Sequence, residues 1–283
     1  MNRQKSFEGE DARLLLLPTP IGNLSEMSDR VRQAIEQADV IACEDTRSTG
    51  KLLSLCGFKK PLLAHHEHNQ SQSIPKIMEL LTQGKTVGVM SDAGYPLVSD
   101  PGQALVKAAI ARSVPVIPFS GPNAALDALV ASGLDTSHYL FYGFLDARSS
   151  RRKRQLETLK ELPFTLVFYE APHRIEETLA DVQEMLGNRQ ACLARELTKR
   201  FEEFLRGSLE EIREAASGLK GEMVLVVEGA PQPQADEEAA LQQMLDLIRT
   251  GMKPKEAARQ VAAATGVRAN QLYRQVLAAK EEM

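Results

Sequence analysis

Two loops in the first half of the chain combine prolines and glycines, one of them with acids as well, in a way that is typical of ligand binding. The longer one, residues 91–102, begins Ser-Asp-Ala-Gly-Tyr-Pro and directly follows an apolar run. Asp92 there can hydrogen-bond a ligand, while Gly94 and Gly102 permit a close backbone approach that a Cβ would block. The shorter loop, residues 18–24, reads Pro-Thr-Pro-Ile-Gly-Asn-Leu. An ordinary turn is the alternative interpretation of each loop.

Further polar clusters follow other apolar runs. Residues 44–47 (Glu-Asp-Thr-Arg) set two acids beside an arginine, and they suit the N-cap of a helix equally well. Charged residues also follow the apolar runs in 168–174 and 194–199. For 194–199, a surface salt bridge is the alternative to a functional role. The three histidines of 65–69 lack the His-Glu-x-x-His spacing and a nearby cysteine, which favours a polar loop over a metal site.

Some common enzyme signatures are missing from the sequence. It contains neither Gly-x-Gly-x-x-Gly nor Gly-x₄-Gly-Lys-Ser/Thr, so neither a Rossmann dinucleotide site nor a P-loop is predicted. The three cysteines are widely spaced and odd in number, which argues against a disulfide framework and a zinc site. We expect a reducing, cytoplasmic location, since no signal peptide or apolar spanning segment is evident.

Basic residues are concentrated in two places although the net charge is −4. Residues 148–154 read Arg-Ser-Ser-Arg-Arg-Lys-Arg. Residues 249–274 contain six basic side chains and one acid, Glu256. Local clusters of this kind govern phosphate binding more than the total charge does, so both predict contacts with phosphates; with the resemblance described below, we expect these to belong to RNA. A solvated helix face is the alternative for each.

The elements that must position these residues follow from the hydrophobic pattern. Short apolar runs alternate with amphipathic stretches up to about residue 133, which predicts a largely parallel sheet covered by helices. After residue 138 strands become more frequent, and we expect a mixed sheet. We place three domains at 1–120, 121–230 and 231–283, with 230–238 as a flexible tether. The last domain is predicted to hold three helices in a helix-turn-helix arrangement.

Eight motifs then appear in a fixed order. The chain closely resembles the 16S ribosomal RNA cytidine 2′-O-methyltransferase family, within the tetrapyrrole methylase superfamily. The resemblance covers roughly residues 13–229, and the C-terminal segment resembles the small domain appended to Gram-negative members. The motifs are 18–24, 44–47, 66–69, 91–102, 121–125, 168–174, 194–199 and 220–229.

The resemblance implies an α/β fold of two domains, here followed by a small helical one, with S-adenosylmethionine bound in the cleft between the first two. It also implies a homodimer, no metal, and a cytidine ribose of the small ribosomal subunit as substrate. We expect cofactor binding by Pro20, Asp92, Ala93, Gly94, Leu97, Ser120, Tyr169, Ala194 and Glu222. We expect substrate positioning or proton removal by Glu44, Asp45, Arg47, Glu170, Arg174, Glu196 and Lys199.

Two loop positions depart from the family pattern: Tyr95 stands where Thr is common, and Asn123 where a small residue such as Ser is common. Both put details of the cofactor contacts in question. The sequence is also compatible with two other functions: a methyltransferase acting on a corrin or siroheme-type tetrapyrrole, and a non-catalytic RNA-binding factor. The basic clusters favour RNA over a tetrapyrrole, and the intact loops favour catalysis.

Overall fold

A computed structural model describes residues 3–6, 12–231 and 237–281. The chain divides into two compact units, Met1–Ala230 and Pro231–Met283. The first contains two five-stranded sheets, which come from successive parts of the chain. A domain boundary near residue 120, between these sheets, stays a prediction.

The first sheet is entirely parallel and has the strand order β3-β2-β4-β1-β5. Leu15 and Leu17 of β1 pack into one core cluster, while Leu14 and Leu16 pack into another on the opposite face. Both faces are therefore buried, which explains an unbroken leucine run where a half-exposed strand would alternate. Its strands are β1 (Leu14–Leu17), β2 (Val40–Cys43), β3 (Leu62–Ala64), β4 (Val87–Met90) and β5 (Val116–Pro118).

Helices connect these strands and cover them. Ser28 caps the first helix by accepting a hydrogen bond from the Val31 amide, and Asp45 caps the second through the Arg47 amide. The helices are α1 (Asp29–Gln37), α2 (Thr46–Leu55), α3 (Gln70–Thr82), α4 (Gln103–Ala111) and α5 (Ala124–Ser132), with 3₁₀ turns at Leu24–Glu26 and Glu67–Asn69.

The second sheet is mixed, as the strand-rich pattern predicted. Its order is β6-β7-β10-β8-β9, in which β6 and β7 are parallel and the other pairs antiparallel. Three helices cover one face, and α5 packs on the other through Ala125, Ala128 and Leu129. The strands are β6 (Tyr139–Phe144), β7 (Thr165–Glu170), β8 (Gln190–Arg195), β9 (Glu203–Ser208) and β10 (Met223–Val227), and the helices are α6 (Ser149–Leu159), α7 (Ile175–Leu186) and α8 (Leu209–Ala215).

The second unit is a three-helix domain with its own core. It consists of α9 (Glu237–Arg249), α10 (Pro254–Thr265) and α11 (Ala269–Glu281). Met244, Val261, Leu272 and Val276 are among the residues buried between them. Pro254 stands at the start of α10 and Gly266 ends it in a left-handed conformation, which is the usual asymmetry of helix ends. The three predicted helices are thus present.

The short strand β3 and the helix α8 were not predicted from the sequence. In β3 the three residues are half-buried or exposed, so the apolar signal is weak at this sheet edge. The expected tether at 230–238 includes 232–236, which lie outside the described residues. Among the residues that the structure describes, no helix has the length and apolar composition needed to cross a membrane.

Candidate active site

The loops 18–24 and 91–102 lie side by side. They follow β1 and β4, which are neighbours in a parallel sheet, so both start at the same sheet edge. Thr19 and Gly94 form an antiparallel bridge with N–H···O distances of 2.8 and 3.0 Å. The Thr19 hydroxyl also donates to the Ser91 carbonyl at 3.2 Å. Carboxyl ends of parallel strands are where open α/β sheets bind ligands.

The loop 91–102 holds several residues in the left-handed backbone region. Gly94 and Gly102 have positive φ, as expected, but so do Leu97 (φ 73°) and Ser99 (φ 64°). Such a conformation costs a non-glycine residue on the order of 1 kcal/mol or more, and it occurs preferentially at functional sites. The loop is therefore held in one shape by its surroundings.

The loop opens onto the cavity that we call the central pocket. Its volume of about 360 Å³ lies within the roughly 300–1,000 Å³ range of small-molecule sites. The first sheet contributes to its walls through the loops that follow β1 and β4, and the second through residues of β6, β7 and β10 and the loops after β7 and β8. The lining residues are Ile21, Asp92, Ala93, Gly94, Tyr95, Val98, Ser99, Asp100, Asn123, Ala124, Phe144, Tyr169, Glu170, Ala171, Pro172, Leu197, Glu222, Met223 and Val224.

Four acidic residues are among those that line this pocket: Asp92, Asp100, Glu170 and Glu222. Burial and the nearby charges of Glu44 and Asp92 raise the pKa of Asp100 from 3.8 to about 6. Burial, together with the charge of Asp45, also raises the pKa of Asp92. The mutual repulsion of these acids makes the pocket a favourable place for a cation, because a positive ligand relieves both the repulsion and the desolvation.

Glu170 ends β7 and is almost completely buried beside the pocket. Its carboxylate accepts hydrogen bonds from the Thr178 hydroxyl at 2.6 Å, from the Ala171 amide at 2.8 Å and from Arg174 Nη2 at 3.3 Å. Arg174 also donates to the Leu145 carbonyl at 2.8 Å. Arg174 thus does not line the pocket itself; it holds Glu170 in place.

A second charged group borders the pocket at Glu222. Lys199 Nζ lies 2.9 Å from carboxylate oxygens of both Glu222 and Glu196. The hydrogen bond from Lys199 lowers the pKa of Glu196. Burial by itself would lower the pKa of Lys199, but its hydrogen bonds to Glu196 and Glu222 raise that pKa overall. A Cβ on Gly22 would come within 2.5 Å of Lys199 Cγ, so the loop after β1 packs directly on this lysine. Of these three charged residues, Glu222 lines the pocket.

Five of the nine residues expected to bind the cofactor line the pocket. Three of the other four lie next to lining residues along the chain or across the sheet. Pro20 precedes Ile21, Leu97 precedes Val98, and buried Ala194 pairs with Val224 in the sheet. Ser120 is exposed beside Gly121. The five lining residues are Asp92, Ala93, Gly94, Tyr169 and Glu222.

Of the residues expected to position substrate or remove a proton, Glu170 lines the pocket. Asp45 forms the N-cap of α2 and a 2.9 Å ion pair with Arg47, whose side chain is 90% exposed. The hydrogen bonds from Arg47 lower the pKa of Asp45 to about 2. The capping interpretation of 44–47 is therefore seen directly. Glu44 is exposed, but its charge contributes to the raised pKa of Asp100.

The histidines of 65–69 have structural contacts outside the pocket. His65 is buried and its Nδ1 lies 2.8 Å from the Ser73 hydroxyl. The Asn69 side chain accepts from the His66 amide and donates to the Ala64 carbonyl, which fixes the turn before α3. Within the described part of the chain, no three His, Cys, Asp or Glu side chains are grouped as a metal site requires.

Both unusual loop residues have a structural explanation. The Tyr95 hydroxyl accepts a hydrogen bond from the Gly121 amide at 3.0 Å and so joins the loop 91–102 to the segment that precedes α5. Asn123 is the N-cap of α5, where its side chain accepts from the Leu126 amide at 3.1 Å. Ser at this position would cap the helix in the same way.

Several lining residues were not proposed from the sequence, and Asp100 and Phe144 are the most informative. Asp100 belongs to a motif that was quoted, but its burial depends on how the loop folds back. Phe144 lies in an apolar run whose alternation is broken by a bulge, and its residue type does not distinguish it from a core residue. Val98, Ser99 and Leu197 are neighbours of proposed residues that only the loop shapes bring to the pocket.

The basic run 148–154 is less available for RNA than its sequence indicates. Arg152 is fully buried, with Nε 2.7 Å from Asp181, so the prediction that it contacts RNA is wrong. Lys153 pairs with Glu184 at 2.6 Å. Arg148 and Arg154 are exposed, and so is Arg151, which lies 3.7 Å from Asp146. The run thus places some of its cations on the surface and uses others to join α6 to α7.

The six basic side chains of residues 249–274 are exposed on the surface of the C-terminal unit. Arg249 pairs with the exposed Asp246 at 3.0 Å. The exposed basic residues are Arg249, Lys253, Lys255, Arg259, Arg268 and Arg274.

Comparison with known proteins identifies relatives along nearly the whole chain. The family model of the tetrapyrrole (corrin/porphyrin) methylases matches residues 13–213, and that of the RsmI C-terminal HTH domain matches 235–280. The ribosomal RNA small subunit methyltransferase I of Bacillus subtilis (strain 168) is 42% identical over 284 residues, which span 96% of this chain and 97% of that protein. The chain belongs to this family of methylases. The protein of the same name from Mesorhizobium japonicum is 42% identical over 95% of this chain and 92% of its own length.

A solved structure shares the fold. The uroporphyrin-III C-methyltransferase of Thermus thermophilus, complexed with S-adenyl homocysteine, has a TM-score of 0.55 and 16% identity over 77% of this chain and 97% of its own. The expected fold class, the family and the assignment as a methyltransferase are thus confirmed.

Proposed function

We propose that this methyltransferase transfers a methyl group from S-adenosylmethionine to the 2′-oxygen of a cytidine ribose in the decoding region of 16S ribosomal RNA. The observation that carries the proposal is the acidic central pocket, set between the loops of two sheets in a chain of this family. The proposed partner of the enzyme is ribosomal RNA, and the proposed location of the reaction is the cytoplasm, where small subunits are assembled.

The pocket fits the cofactor in charge and size. S-adenosylmethionine supplies a methyl group bound to a positively charged sulfur. Asp92 and Asp100 form a wall whose repulsion a cation would relieve, and the volume of about 360 Å³ suits a ligand of this class. Because the positive charge diminishes as the methyl group leaves, these acids assist binding rather than the chemical step.

The residues around the pocket suggest how the reaction is assisted. Methyl transfer needs the 2′-oxygen in line with the methyl group, so orientation in a closed site supplies much of the rate. The hydroxyl proton must also be accepted. Of the carboxylates expected to do this, Glu170 lines the pocket and is held by Arg174 and Thr178. We propose Glu170 as the residue that binds the 2′-hydroxyl because, of that set, it is the one that lines the pocket. Lys199 pairs with Glu222, which also lines the pocket.

The proposal is tested by incubating the protein with labelled S-adenosylmethionine and either unmodified small subunits or a uroporphyrinogen-type tetrapyrrole. We expect label in RNA, as 2′-O-methylcytidine, and none in the tetrapyrrole. Label only in the tetrapyrrole would overturn the substrate, and no transfer to either would favour a non-catalytic RNA-binding factor. With Glu170→Gln we expect a lower single-turnover rate at unchanged cofactor affinity, whereas a wild-type rate would remove Glu170 from its role.

We also propose that the enzyme acts as a homodimer, as the resemblance to its superfamily implies. Sedimentation velocity of the purified full chain measures this directly. Twice the monomer mass of 31.2 kDa is expected, and the monomer mass at micromolar concentration would contradict the proposal.

A further inference from the structure

The edge strand β6 contains a β-bulge next to the central pocket. Phe141 pairs with Val167, Gly143 with Phe168 and Phe144 with Tyr169, so one extra residue is inserted between Phe141 and Gly143. Without it, Phe141 and Phe144 would point to opposite faces of the sheet. With it, both share the face of Val167 and Tyr169, and Phe144 lines the pocket.

The bulge depends on Gly143. This residue has φ of +82°, a conformation that side chains other than glycine rarely adopt. A Cβ there would also lie 3.1 Å from the Ser99 hydroxyl, which belongs to the loop on the opposite side of the pocket. Gly143 therefore both redirects Phe144 and lets the two walls approach each other.

Phe144 has a large apolar side chain that neighbouring rings hold in place while part of it stays exposed to solvent. Its ring lies 5.5 Å from the Tyr169 ring in an edge-to-face contact, and Phe141 meets Tyr169 at 4.9 Å. Nevertheless, 52% of Phe144 is exposed. A supported aromatic ring with an accessible surface is the arrangement on which nucleic-acid-binding proteins stack unpaired bases.

The charges of the pocket restrict which part of an RNA can enter it. Asp92, Asp100, Glu170 and Glu222 would repel a phosphate, whereas a base and its ribose are uncharged. Phosphates are better placed outside, where Arg148 and Arg151 are exposed a few residues beyond Phe144. The nucleotide must then be turned out of its stack, and an apolar surface at the rim replaces the lost stacking.

We propose that Phe144 is the stacking surface for the base of the nucleotide whose ribose is methylated. Gly143 is the positioning residue that presents it. The inference rests on the proposed function and deepens it by assigning a base-contacting residue outside the motifs. It predicts that Phe144 contributes to RNA recognition and not to cofactor binding.

The first test compares Phe144→Leu, which keeps apolar bulk, with the conservative Phe144→Tyr. Stacking contributes about 1–3 kcal/mol per base, so we expect Phe144→Leu to raise KM for small subunits by about 5- to 150-fold. Phe144→Tyr should stay near wild type, and calorimetry should find the cofactor affinity unchanged in both. An unchanged KM in Phe144→Leu overturns the proposal, as does an equal loss of cofactor affinity, which would assign the ring to the cofactor.

The second test uses the absence of tryptophan from the sequence. Phe144→Trp creates a single fluorophore, whose emission should be quenched when an oligonucleotide of the decoding region binds and stacks on it. The control is Phe164→Trp; Phe164 is 40% exposed, lies outside the pocket and contacts His138. Equal quenching in both variants, or none at Phe144→Trp under saturating RNA, would contradict stacking.

Gly143→Ala examines the bulge with the ring still present. We expect the same rise in KM as in Phe144→Leu, with circular dichroism unchanged; a wild-type KM would show that the bulge does not position the ring. The outcomes are separable from the proposed function. If the wild-type protein does not methylate small subunits, the proposed function fails. If it does while Phe144→Leu is unaffected, only this inference fails.

Discussion

At the scale of single residues, Asp100 connects the electrostatics of the pocket to a measurable property. Its carboxyl is half-buried among other acids, which raises its pKa to about 6. It is neutral below that pH and negative above it. Attraction for a positively charged sulfonium is therefore gained as the pH rises through about 6.

We expect the affinity for S-adenosylmethionine to increase from pH 5 to pH 7 and then to level off. Asp100→Asn should bind at least about tenfold more weakly at pH 7.5, which corresponds to about 1.4 kcal/mol, and should show a flatter pH profile. Titration calorimetry in buffers from pH 5 to 8 measures both. Asp29→Asn, an exposed acid on α1, is the control. A variant at Asp100 that retained the wild-type pH dependence would refute this account.

Other residues show what the sequence could indicate at this scale. Asp92, Gly94 and Glu170 were proposed from their residue type and position after a strand, and all three line the pocket. Asp45 and Arg174 carry the same signals, but one caps a helix and the other supports Glu170. A charged residue at the end of a strand can either line a site or make a structural contact. Which of the two it does depends on the direction of its side chain, which is set by contacts in the folded protein.

At the scale of elements, the helices α6 and α7 are joined by a buried ion pair. Arg152 and Asp181 have side chains only 1% and 9% exposed, and their atoms approach to 2.7 Å. Arg152 also donates to the carbonyls of Asp146 and Ala147 at 3.3 Å. The pair therefore fixes the loop between Phe144 and α6 as well as the helix packing.

Removing one partner of a buried pair leaves an uncompensated charge. We expect Arg152→Met to lower the free energy of unfolding by about 3–5 kcal/mol, and Arg152→Met/Asp181→Leu to recover part of the loss. Arg154→Met, which changes an exposed residue of the same helix, should stay within about 0.5 kcal/mol of wild type. Urea unfolding followed by circular dichroism measures all three. Equal midpoints for Arg152→Met and Arg154→Met would contradict the structural role.

The pattern of elements was largely accessible from sequence, and the exceptions have physical causes. Alternating strands and helices predicted the first sheet, because burial on two faces leaves continuous apolar runs such as residues 14–17. The higher frequency of strands after residue 138 predicted the second. The bulge in β6 was not predictable, since its register depends on pairing with a strand more than twenty residues away. Likewise, the basic residues of 148–154 were predicted to contact RNA, but the packing of α6 on α7, which the sequence does not show, buries Arg152.

At the scale of the whole molecule, the C-terminal unit adds a basic surface to a methyltransferase. Lys255 and Arg259 are exposed one turn apart on α10. Contacts with phosphates release counterions, so each one steepens the dependence of binding on salt by roughly 0.7–0.9 in the log–log slope.

We expect Lys255→Gln/Arg259→Gln to weaken binding to small subunits and to reduce that slope by roughly one to two. Deletion of residues 231–283 should reduce it further. Lys51→Gln/Lys59→Gln removes the same charge from exposed positions of the first unit and is the control. Filter binding between 50 and 300 mM potassium chloride gives the slopes. An unchanged slope after the deletion would exclude the C-terminal unit from RNA binding.

The assignment of the reaction as a whole is tested most directly in the RNA itself. Nucleoside mass spectrometry of 16S ribosomal RNA would compare a strain lacking this protein with the same strain carrying either the wild type or Asp100→Asn. We predict that one 2′-O-methylcytidine in the decoding region is absent from the deletion strain, returns with the wild type, and stays absent or strongly reduced with Asp100→Asn. An identical nucleoside composition in all the strains would contradict the proposed function.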